Sequence, residues 1–310
     1  MKLSLIVPCY NEENNAAPFC RACREAFSAE SLSYEIIFVN DGSTDGTEKA
    51  LRTLYGEDDN ITVISFSRNF GKEAAMLAGM EKAVGDYVTL IDADLQQQPR
   101  TVVEMVKLLD AHPEYDCVAA YQQKRSEGGF RGICKSAFYR IMNFMSEVEL
   151  HPAASDFRTM RRSVTEAVLS LSEYHRFSKG IFSWVGFETC YIPYIADKRL
   201  CGKSSWSFKK LFGYSVDGIT NYSVSPLRLP LYFGGAAVLL SAVWFFVSLF
   251  SGTLSFSDTR ALFIAILFLW GLSSIFKGIS GIYLAKDYTE NKHRPKYIVK
   301  SCLDRQEKKK

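Results

Sequence analysis

The chain has 310 residues, a net charge of +3 and a hydrophobic content of 47%, which is enough for one large or two ordinary domains. The small net charge and the lack of a nucleic-acid-binding motif exclude nucleic acid as an expected partner. Its eight cysteines are scattered, and Cys20 and Cys23 lack the second pair or histidine of a zinc site. We therefore expect reduced thiols, a cytosolic setting for the soluble part and, without an apolar leader, no signal peptide.

Apolar runs alternate with helical patterns from the start of the chain. The predicted strands are Leu3–Val7, Tyr34–Val39, Ile61–Phe66, Tyr87–Ile91, Cys117–Tyr121 and Phe187–Ile195. Helical patterns run through Phe27, through Leu54 after a cap at Thr44 or Asp45, over Glu73–Val84, from Pro99 through Leu109, and over Val164–Leu171. This alternation predicts an α/β fold with a doubly wound, mostly parallel sheet. Polar residues at the strand ends place the site on one rim.

The strongest site signal follows the fourth predicted strand. Asp92, Asp94 and Gln96 occupy alternate positions, and extended backbone sends alternate side chains to one face. Three oxygen donors can therefore converge on one hard cation, although a solvated loop with a capping aspartate is the alternative for this motif alone. A dinucleotide loop is absent, and Gly202-Lys203-Ser204 fails as a phosphate loop because Asp197 replaces its first glycine.

Two long apolar stretches lie near the carboxyl end. Leu229–Phe250 contains no charged residue, and Ala261–Ala285 contains only Lys277. Each is long enough to cross a bilayer, with a pair of buried core helices as the alternative. Lysines and arginines flank the pair, whereas the loop between them holds only Arg260, offset by Asp258. The positive-inside bias predicts that both termini are cytoplasmic.

The predicted organisation has four parts. Residues 1–207 form a cytoplasmic catalytic domain, 208–227 an interfacial amphipathic helix, 228–286 a transmembrane hairpin and 287–310 a basic cytoplasmic tail. Within the first part, residues 124–140 combine basic side chains with an apolar stripe. That stripe fits either core packing or a helix at a membrane surface.

Several stretches match one family when they are taken together. They are VPCYNEE (Val7–Glu13), VNDGSTDGT (Val39–Thr47), SRNFGKEAA (Ser67–Ala75), DADLQ (Asp92–Gln96), Asp156-Phe157-Arg158, KGIF (Lys179–Phe182) and Asp217-Gly218-Ile219. This set resembles the family 2 glycosyltransferases of the polyprenyl-phosphate type, such as bactoprenol glucosyltransferases and dolichol-phosphate mannose synthase. The resemblance covers nearly the whole chain and implies a GT-A fold, a nucleotide-sugar donor and a lipid-phosphate acceptor.

The resemblance also implies roles for individual residues. The donor is expected at Pro8, Tyr10, Glu12, Asp41, Lys72 and Asp92, and Mg²⁺ or Mn²⁺ at Asp92, Asp94 and Gln96. The expected catalytic residues are Asp94, Asp156 and Arg158; the acceptor phosphate is expected at Arg125, Arg131 and Lys135, with Lys203 and Ser204 in a nearby loop. Asp156 is either a base or a positioning residue, because a phosphate monoester is already mostly ionised at neutral pH. The chain departs from the family at Gln97-Gln98-Pro99 and in the loop Gly202–Trp206.

The expected reaction is metal-dependent, inverting transfer of glucose from UDP-glucose to undecaprenyl phosphate. It is expected on the cytoplasmic face of the bacterial inner membrane, with a flippase and a second glycosyltransferase acting downstream in the cell envelope. GDP-mannose, a UDP-N-acetylhexosamine and a UDP-aminoarabinose derivative are alternative donors. A processive polysaccharide synthase is disfavoured because the QxxRW motif and further spans are missing, and a non-catalytic nucleotide-sugar-binding scaffold is the alternative of another class. Family resemblance also suggests a homo-oligomer, specifically a tetramer.

Overall fold

Eight strands of the described chain form one mixed sheet. The structure, a computed structural model, describes residues 2–122, 154–174, 176–195 and 259–304, together with individual positions between 227 and 250. The strands are β1 (Lys2–Cys9), β2 (Ser33–Asn40), β3 (Ile61–Phe66), β4 (Tyr87–Leu90), β5 (Cys117–Gln122), β6 (Ala154–Arg161), β7 (Thr189–Tyr194) and β8 (Val299–Leu303). The helices are α1 (Ala16–Ser28), α2 (Thr47–Glu57), α3 (Lys72–Lys82), α4 (Pro99–Ala111), α5 (Arg162–Ser170), α6 (Ser178–Trp184) and α7 (Thr259–Glu290).

The strand order is β7-β5-β6-β4-β1-β2-β3-β8. The central strands β4, β1, β2 and β3 are parallel to one another, and β5 is parallel to β7. Strand β6 runs antiparallel between β4 and β5, and β8 runs antiparallel beside β3. The predicted mostly parallel α/β sheet is therefore confirmed, whereas β6, β8 and the short helix α6 were not predicted.

Apolar side chains on both faces of the sheet explain why the central strands are almost continuously hydrophobic. Along β1, Leu5 and Val7 face the cluster formed with α1 and α4, whereas Ile6 faces the cluster formed with α3. Gly79 of α3 lets that helix approach the sheet, since a Cβ at this position would lie 2.2 Å from Cγ2 of Ile6. Packing on both faces thus holds the strands in place, while the loops at their carboxyl ends lie outside the core.

The end of the chain contributes to the same sheet. Val299–Leu303 lies in the segment predicted as a basic tail, and it pairs with β3 as strand β8. Among the residues that the structure describes, no helix combines the length and the apolarity needed to cross a membrane. The predicted pair of transmembrane helices is therefore not supported by this part of the chain.

Candidate active site

The carboxyl ends of the central strands meet at one rim, as parallel strands require. The last residues of β1 and β2, Cys9 and Asn40, are in register, and the last residue of β4, Leu90, lies opposite Ile6. The loops that follow these strands carry Tyr10, Asp41 and Asp92. The loop after β3 leads into α3, whose first residue is Lys72. A narrow cleft at this rim is lined by Pro8, Met76, Leu90, Ile91, Phe157, Gln97, Lys72, Asp92 and Asp156. Four of these, Pro8, Lys72, Asp92 and Asp156, were predicted from the sequence as site residues.

Asp41 organises the loop that precedes Lys72. Its side chain is buried, and its Oδ1 and Oδ2 accept the backbone N–H groups of Phe70 at 2.6 Å and Gly71 at 2.9 Å. Burial raises the pKa of Asp41, and the two N–H donors act against that rise. The next residue, Gly42, has a φ of +62° and lies so close to this loop that a Cβ would be 2.3 Å from the carbonyl carbon of Arg68. Asp41 therefore holds the loop at residues 68–71 against the end of β2.

The loop after β1 is tied to the loop after β2. Oδ1 of Asn11 accepts the backbone N–H of Thr44 at 2.9 Å, and the backbone N–H of Glu12 donates to Oγ1 of Thr47 at 2.8 Å. Helix α2 begins at Thr47 with Gly46 as its N-cap, so the predicted cap at Thr44 or Asp45 is wrong. Asp45 still contacts the start of the helix, because its Oδ1 accepts the N–H of Thr47 at 3.0 Å. Tyr10, in the same loop after β1, is 47% exposed.

The DADLQ stretch folds into a tight turn after β4. Leu95 has a φ of +57°, an uncommon conformation for a residue with a side chain. Oε1 of Gln97 accepts the backbone N–H of Asp92 at 2.9 Å, and its Nε2 donates to Oδ2 of Asp92 at 3.4 Å. Oδ1 of the buried Asp94 accepts the backbone N–H of Gln96 at 3.1 Å. Gln97, which the sequence marked only as a departure from the family, therefore orients Asp92.

The donor set of this turn fits a hard divalent cation. Within the described ranges, no group of three or more His, Cys, Asp or Glu side chains is arranged to hold a metal ion. The turn instead offers two carboxylates, from Asp92 and Asp94, and the amide oxygen of Gln96. Mg²⁺ sites that serve phosphate substrates commonly use one or two carboxylates, with the phosphates completing the coordination. The residues present are therefore suited to Mg²⁺ or Mn²⁺ together with a diphosphate.

Lys72 connects the two acidic parts of the cleft. Its Nζ lies 2.7 Å from Oδ1 of Asp92 and 3.3 Å from Oδ2 of Asp156, with 42% of the side chain exposed. Burial acts to lower the pKa of Lys72, but the negative charges of Asp92 and Asp156 outweigh it and raise the pKa above its usual value. Lys72 is therefore a permanent cation between two carboxylates that lie far apart in the sequence.

Asp156 is held in its ionised form. Burial acts to raise the pKa of Asp156, but Lys72, Lys179 and Arg158 outweigh it and lower the pKa below the usual value. Arg158 itself is only 4% exposed, and its guanidinium stacks over the ring of Phe182 at 3.8 Å. Arg158 is therefore buried beneath the rim and is not one of the residues that line the cleft. It acts on the site through its positive charge, which stabilises the ionised form of Asp156.

Two further residues near Asp156 were not singled out from the sequence. Lys179 lies in the KGIF stretch, which served only as a mark of the family. Oε1 of Glu73 accepts the backbone N–H of Ser178 at 3.2 Å, and its other oxygen accepts the Ser178 hydroxyl, which ties α3 to α6. Burial and the negative charge of Asp156 raise the pKa of Glu73 to about 7. Only proximity in the fold reveals these two residues.

Several predicted site residues lie outside the described residues. These are Arg125, Arg131, Lys135, Lys203 and Ser204. The basic and apolar segment at 124–140 and, apart from Leu227, the predicted interfacial helix at 208–227 also lie there. Their assignments to the acceptor phosphate, the loop and the membrane surface stay predictions.

Comparison with known proteins assigns the chain to a family. The sequence profile of glycosyl transferase family 2 matches residues 4–169. CsbB of Bacillus subtilis, described as a glycosyltransferase, is 38% identical over 97% of this chain and 92% of its own length. The bactoprenol glucosyl transferase of Shigella phage SfV is 37% identical over 97% of this chain and 99% of its own. Among solved structures, glucosyl-3-phosphoglycerate synthase of Mycobacterium tuberculosis, in complex with Mn²⁺, UDP-glucose and phosphoglyceric acid, is 18% identical, with a TM-score of 0.47 and coverage of 71% of this chain and 77% of that one. The chain is a glycosyltransferase with a GT-A α/β fold and belongs to glycosyl transferase family 2.

Proposed function

We propose that the protein transfers glucose from UDP-glucose to a polyprenyl phosphate of the undecaprenyl type, with inversion at the anomeric carbon. The acceptor class is supported by the relatives named bactoprenol glucosyl transferase, which match almost end to end. The observation that carries the proposal is the position of Lys72, whose Nζ contacts both Asp92 and Asp156. One cleft thereby joins the carboxylate suited to the donor diphosphate with the carboxylate suited to the acceptor side.

On the donor side, the residues neutralise charge on the departing diphosphate. Asp92, Asp94 and Gln96 would hold Mg²⁺ or Mn²⁺, which when bound acts as a Lewis acid towards the phosphate oxygens. Lys72 adds a fixed positive charge beside them, where it stabilises the negative charge that develops as the bond to the sugar breaks. The exposed ring of Tyr10 is available to stack on the nucleobase.

On the acceptor side, the nucleophile needs little help from a base. A phosphate monoester has a second pKa of about 6, so its oxygen is mostly ionised at neutral pH. That oxygen attacks the anomeric carbon, and the electron pair of the breaking bond leaves with UDP. Asp156 has a lowered pKa and is a poor match for a general base working near neutrality. We therefore propose that Asp156 positions Lys72 and the acceptor. The acceptor phosphate itself would be bound by Arg125, Arg131 and Lys135, with Lys203 and Ser204 in a nearby loop.

Donor choice can be tested directly on membranes that contain the protein. Labelled UDP-glucose, GDP-mannose and UDP-N-acetylhexosamines are offered in turn with undecaprenyl phosphate, and the label that enters lipid is measured. We expect label from UDP-glucose alone, and inhibition by UDP at concentrations at which GDP has no effect. Membranes without the protein provide the baseline. Stronger inhibition by GDP would redirect the assignment to a mannosyl donor, and label in water-soluble products alone would remove the lipid acceptor.

We propose further that the protein is a multi-pass protein of the bacterial cytoplasmic membrane. The support is the charge-free stretch Leu229–Phe250 and the nearly charge-free stretch Ala261–Ala285. Large apolar side chains of helix α7 are also exposed, among them Leu262, Ile266, Leu269, Trp270 and Ile275. In this arrangement residues 1–207 and 287–310 are cytoplasmic, 208–227 lies at the interface and 228–286 crosses twice. We also propose that the protein forms a tetramer, and that a flippase and a second glycosyltransferase act downstream of it.

The topology makes a separate prediction. A reporter enzyme fused after Lys310 should be active only on the cytoplasmic side, because lysines and arginines flank both spans on that side. A single cysteine introduced at Ser255, in the short connecting loop, should react with an impermeant thiol reagent added outside intact cells. Labelling after cell disruption provides the control for accessibility. A carboxyl terminus that is reached only from outside would overturn the topology and the cytosolic donor with it.

A further inference from the structure

The last described residues form a strap across one edge of the catalytic sheet. We define the strap as residues 290–304, which begin where helix α7 ends. At its start, the carboxylate oxygens of Glu290 accept the backbone N–H of Tyr174 at 2.9 and 3.0 Å. At its end, Asp304 is buried and its Oδ2 lies 2.7 Å from Nζ of Lys82. The strap is therefore fixed to the catalytic domain at both ends.

Tyr297 makes the most specific contact of the strap. Its ring stacks on Phe66, the last residue of β3, with the centroids 4.8 Å apart and the planes at 17°. Its hydroxyl donates to the carboxylate of Glu81 on α3. The following carbonyl, of Ile298, accepts the backbone N–H of Ser67 at 2.9 Å. The strap thus contacts the end of β3 and the start of the loop that precedes Lys72.

An unbroken series of contacts runs from Tyr297 to the donor side of the site. Phe66 meets Phe70 edge to face, with the centroids 5.8 Å apart. The backbone N–H of Phe70 donates to Oδ1 of Asp41 at 2.6 Å, and the next N–H, of Gly71, donates to Oδ2. Lys72 follows directly. The ring of Tyr297 therefore supports, through two phenylalanines, the loop that Asp41 and Lys72 share.

Protection of the sheet edge alone does not explain this arrangement. Strand β8 covers the open edge of β3 with backbone hydrogen bonds, which blunts an edge that could otherwise pair with other chains. That pairing places Val299 opposite Phe66 and continues through the bond between Ile298 and Ser67. These are contacts of the backbone, to which the ring of Tyr297 does not contribute. The aromatic contacts lie instead on the side of the loop and of α3. They point to a role in the geometry of the site.

We propose that Tyr297 is a positioning residue of the donor site and that the strap couples the end of helix α7 to that site. Tyr297 would fix Phe66 and Phe70, and thereby hold the N–H groups of Phe70 and Gly71 in place for Asp41. The role of this loop in binding a nucleotide rests on the proposed function. The effect of Tyr297 on the loop itself does not, since it concerns only contacts within the chain.

Amide hydrogen exchange in the full-length protein tests the proposal without any ligand. In Tyr297→Ala, the amides of Phe70 and Gly71 should exchange about ten-fold faster than in the wild type, because their local opening becomes easier. The amides of β1 and β4 should keep their wild-type rates. Tyr297→Phe keeps the stacked ring and should restore slow exchange at Phe70. If Tyr297→Ala does not fold, Tyr297→Leu, which keeps apolar bulk without a flat ring, takes its place with the same expectation.

A matched control comes from the same strap. Lys300 is 61% exposed and its Nζ lies 3.7 Å from the carboxylate of Glu48, a surface pair that contributes little. Lys300→Ala should therefore leave exchange at Phe70 and Gly71 unchanged. Unchanged exchange at these amides in Tyr297→Ala would overturn the proposal, and so would a uniform acceleration that includes β1, since that would mean a general loss of stability.

A nucleotide titration then links the loop to the site. UDP with Mg²⁺ should bind Tyr297→Ala about ten-fold more weakly than the wild type, equivalent to about 1.4 kcal/mol. Tyr297→Phe and Lys300→Ala should bind UDP as the wild type does. Failure of the wild type to bind UDP would count against the proposed donor and leave the exchange result standing. Equal UDP affinity of wild type and Tyr297→Ala would refute the positioning role.

Discussion

Replacing Asp94 by asparagine is expected to reduce sugar transfer to a small residual rate while the protein stays folded. Asparagine keeps the shape of the side chain and an oxygen that can accept the backbone N–H of Gln96. It removes the negative charge that, in the proposed function, binds a divalent cation beside the donor diphosphate. Loss of one such electrostatic contact typically lowers the rate by about 10²–10³-fold, or about 3–4 kcal/mol of transition-state stabilisation. The rate of label transfer into lipid and the thermal midpoint together measure the two expectations.

Alanine at the same position is expected to be equally inactive but less stable. Asp94 is 8% exposed, so its removal leaves the N–H of Gln96 without that acceptor, at a cost of about 1–3 kcal/mol. Glu104 is exposed on α4, the helix that follows the turn, and Glu104→Gln provides a charge-matched control with wild-type activity. EDTA should abolish sugar transfer by the wild type, and added Mg²⁺ or Mn²⁺ should restore the transfer. Full transfer by Asp94→Asn, or by the wild type in the chelator, would contradict the assignment.

The sequence was sufficient where the structural signal is local. Strand β3 was predicted with its observed bounds, and α4 with its start at Pro99, because each carries its own pattern and its own boundary. Parallel topology then follows from the alternation of strands and helices and brings the polar strand ends to one rim. The spacing after β4 indicated Asp92, and the resemblance to the family 2 glycosyltransferases implied Pro8, Lys72 and Asp156. The cleft brings these four together.

The sequence was insufficient where a residue is defined by a distant partner. Strand β6 contains Arg158, which is opposite Leu90 in β4 and Ala119 in β5, and such a charged position argues against a buried strand when it is seen alone. Strand β8 is short and largely exposed, and only β3, near the other end of the chain, gives it a place in the sheet. Contacts of this kind depend on tertiary packing, which outweighs local strand preference.

The orientation of Asp92 illustrates the same limit within the site. The alternation of Asp92, Asp94 and Gln96 indicated which side chains to consider, but it assumed extended backbone. The chain instead turns at Leu95, whose positive φ lets Gln97 fold back and bond to Asp92. Residues other than glycine rarely adopt a positive φ, so a leucine in the sequence gives no indication of such a turn. The carboxylates were therefore predictable, whereas the amide that orients one of them was not.

Replacing Lys72 by methionine is expected to have the second large effect, a fall in the transfer rate of about 10²-fold, or about 2.7 kcal/mol. Methionine retains much of the length of the lysine stem but has no charge. It therefore removes the positive charge that lies 2.7 Å from Asp92 and 3.3 Å from Asp156. In the proposed function this charge stabilises the departing diphosphate. Arginine should not restore the rate, since its planar fork cannot take the place of a compact ammonium between two carboxylates.

The stability of Lys72→Met should change little, which separates a chemical role from a structural one. With 42% of the lysine side chain exposed, its ion pairs are screened by water and contribute about 1 kcal/mol or less. Lys49→Met, at an exposed position of α2, controls for the loss of a lysine near the same rim. Single-turnover transfer should fall much further than UDP affinity, because the charge of Lys72 is needed most when the sugar–phosphate bond breaks. A Lys72→Met protein that transfers sugar at the wild-type rate would show that the diphosphate departs elsewhere in the cleft; equal losses of affinity and rate would reduce Lys72 to a binding residue.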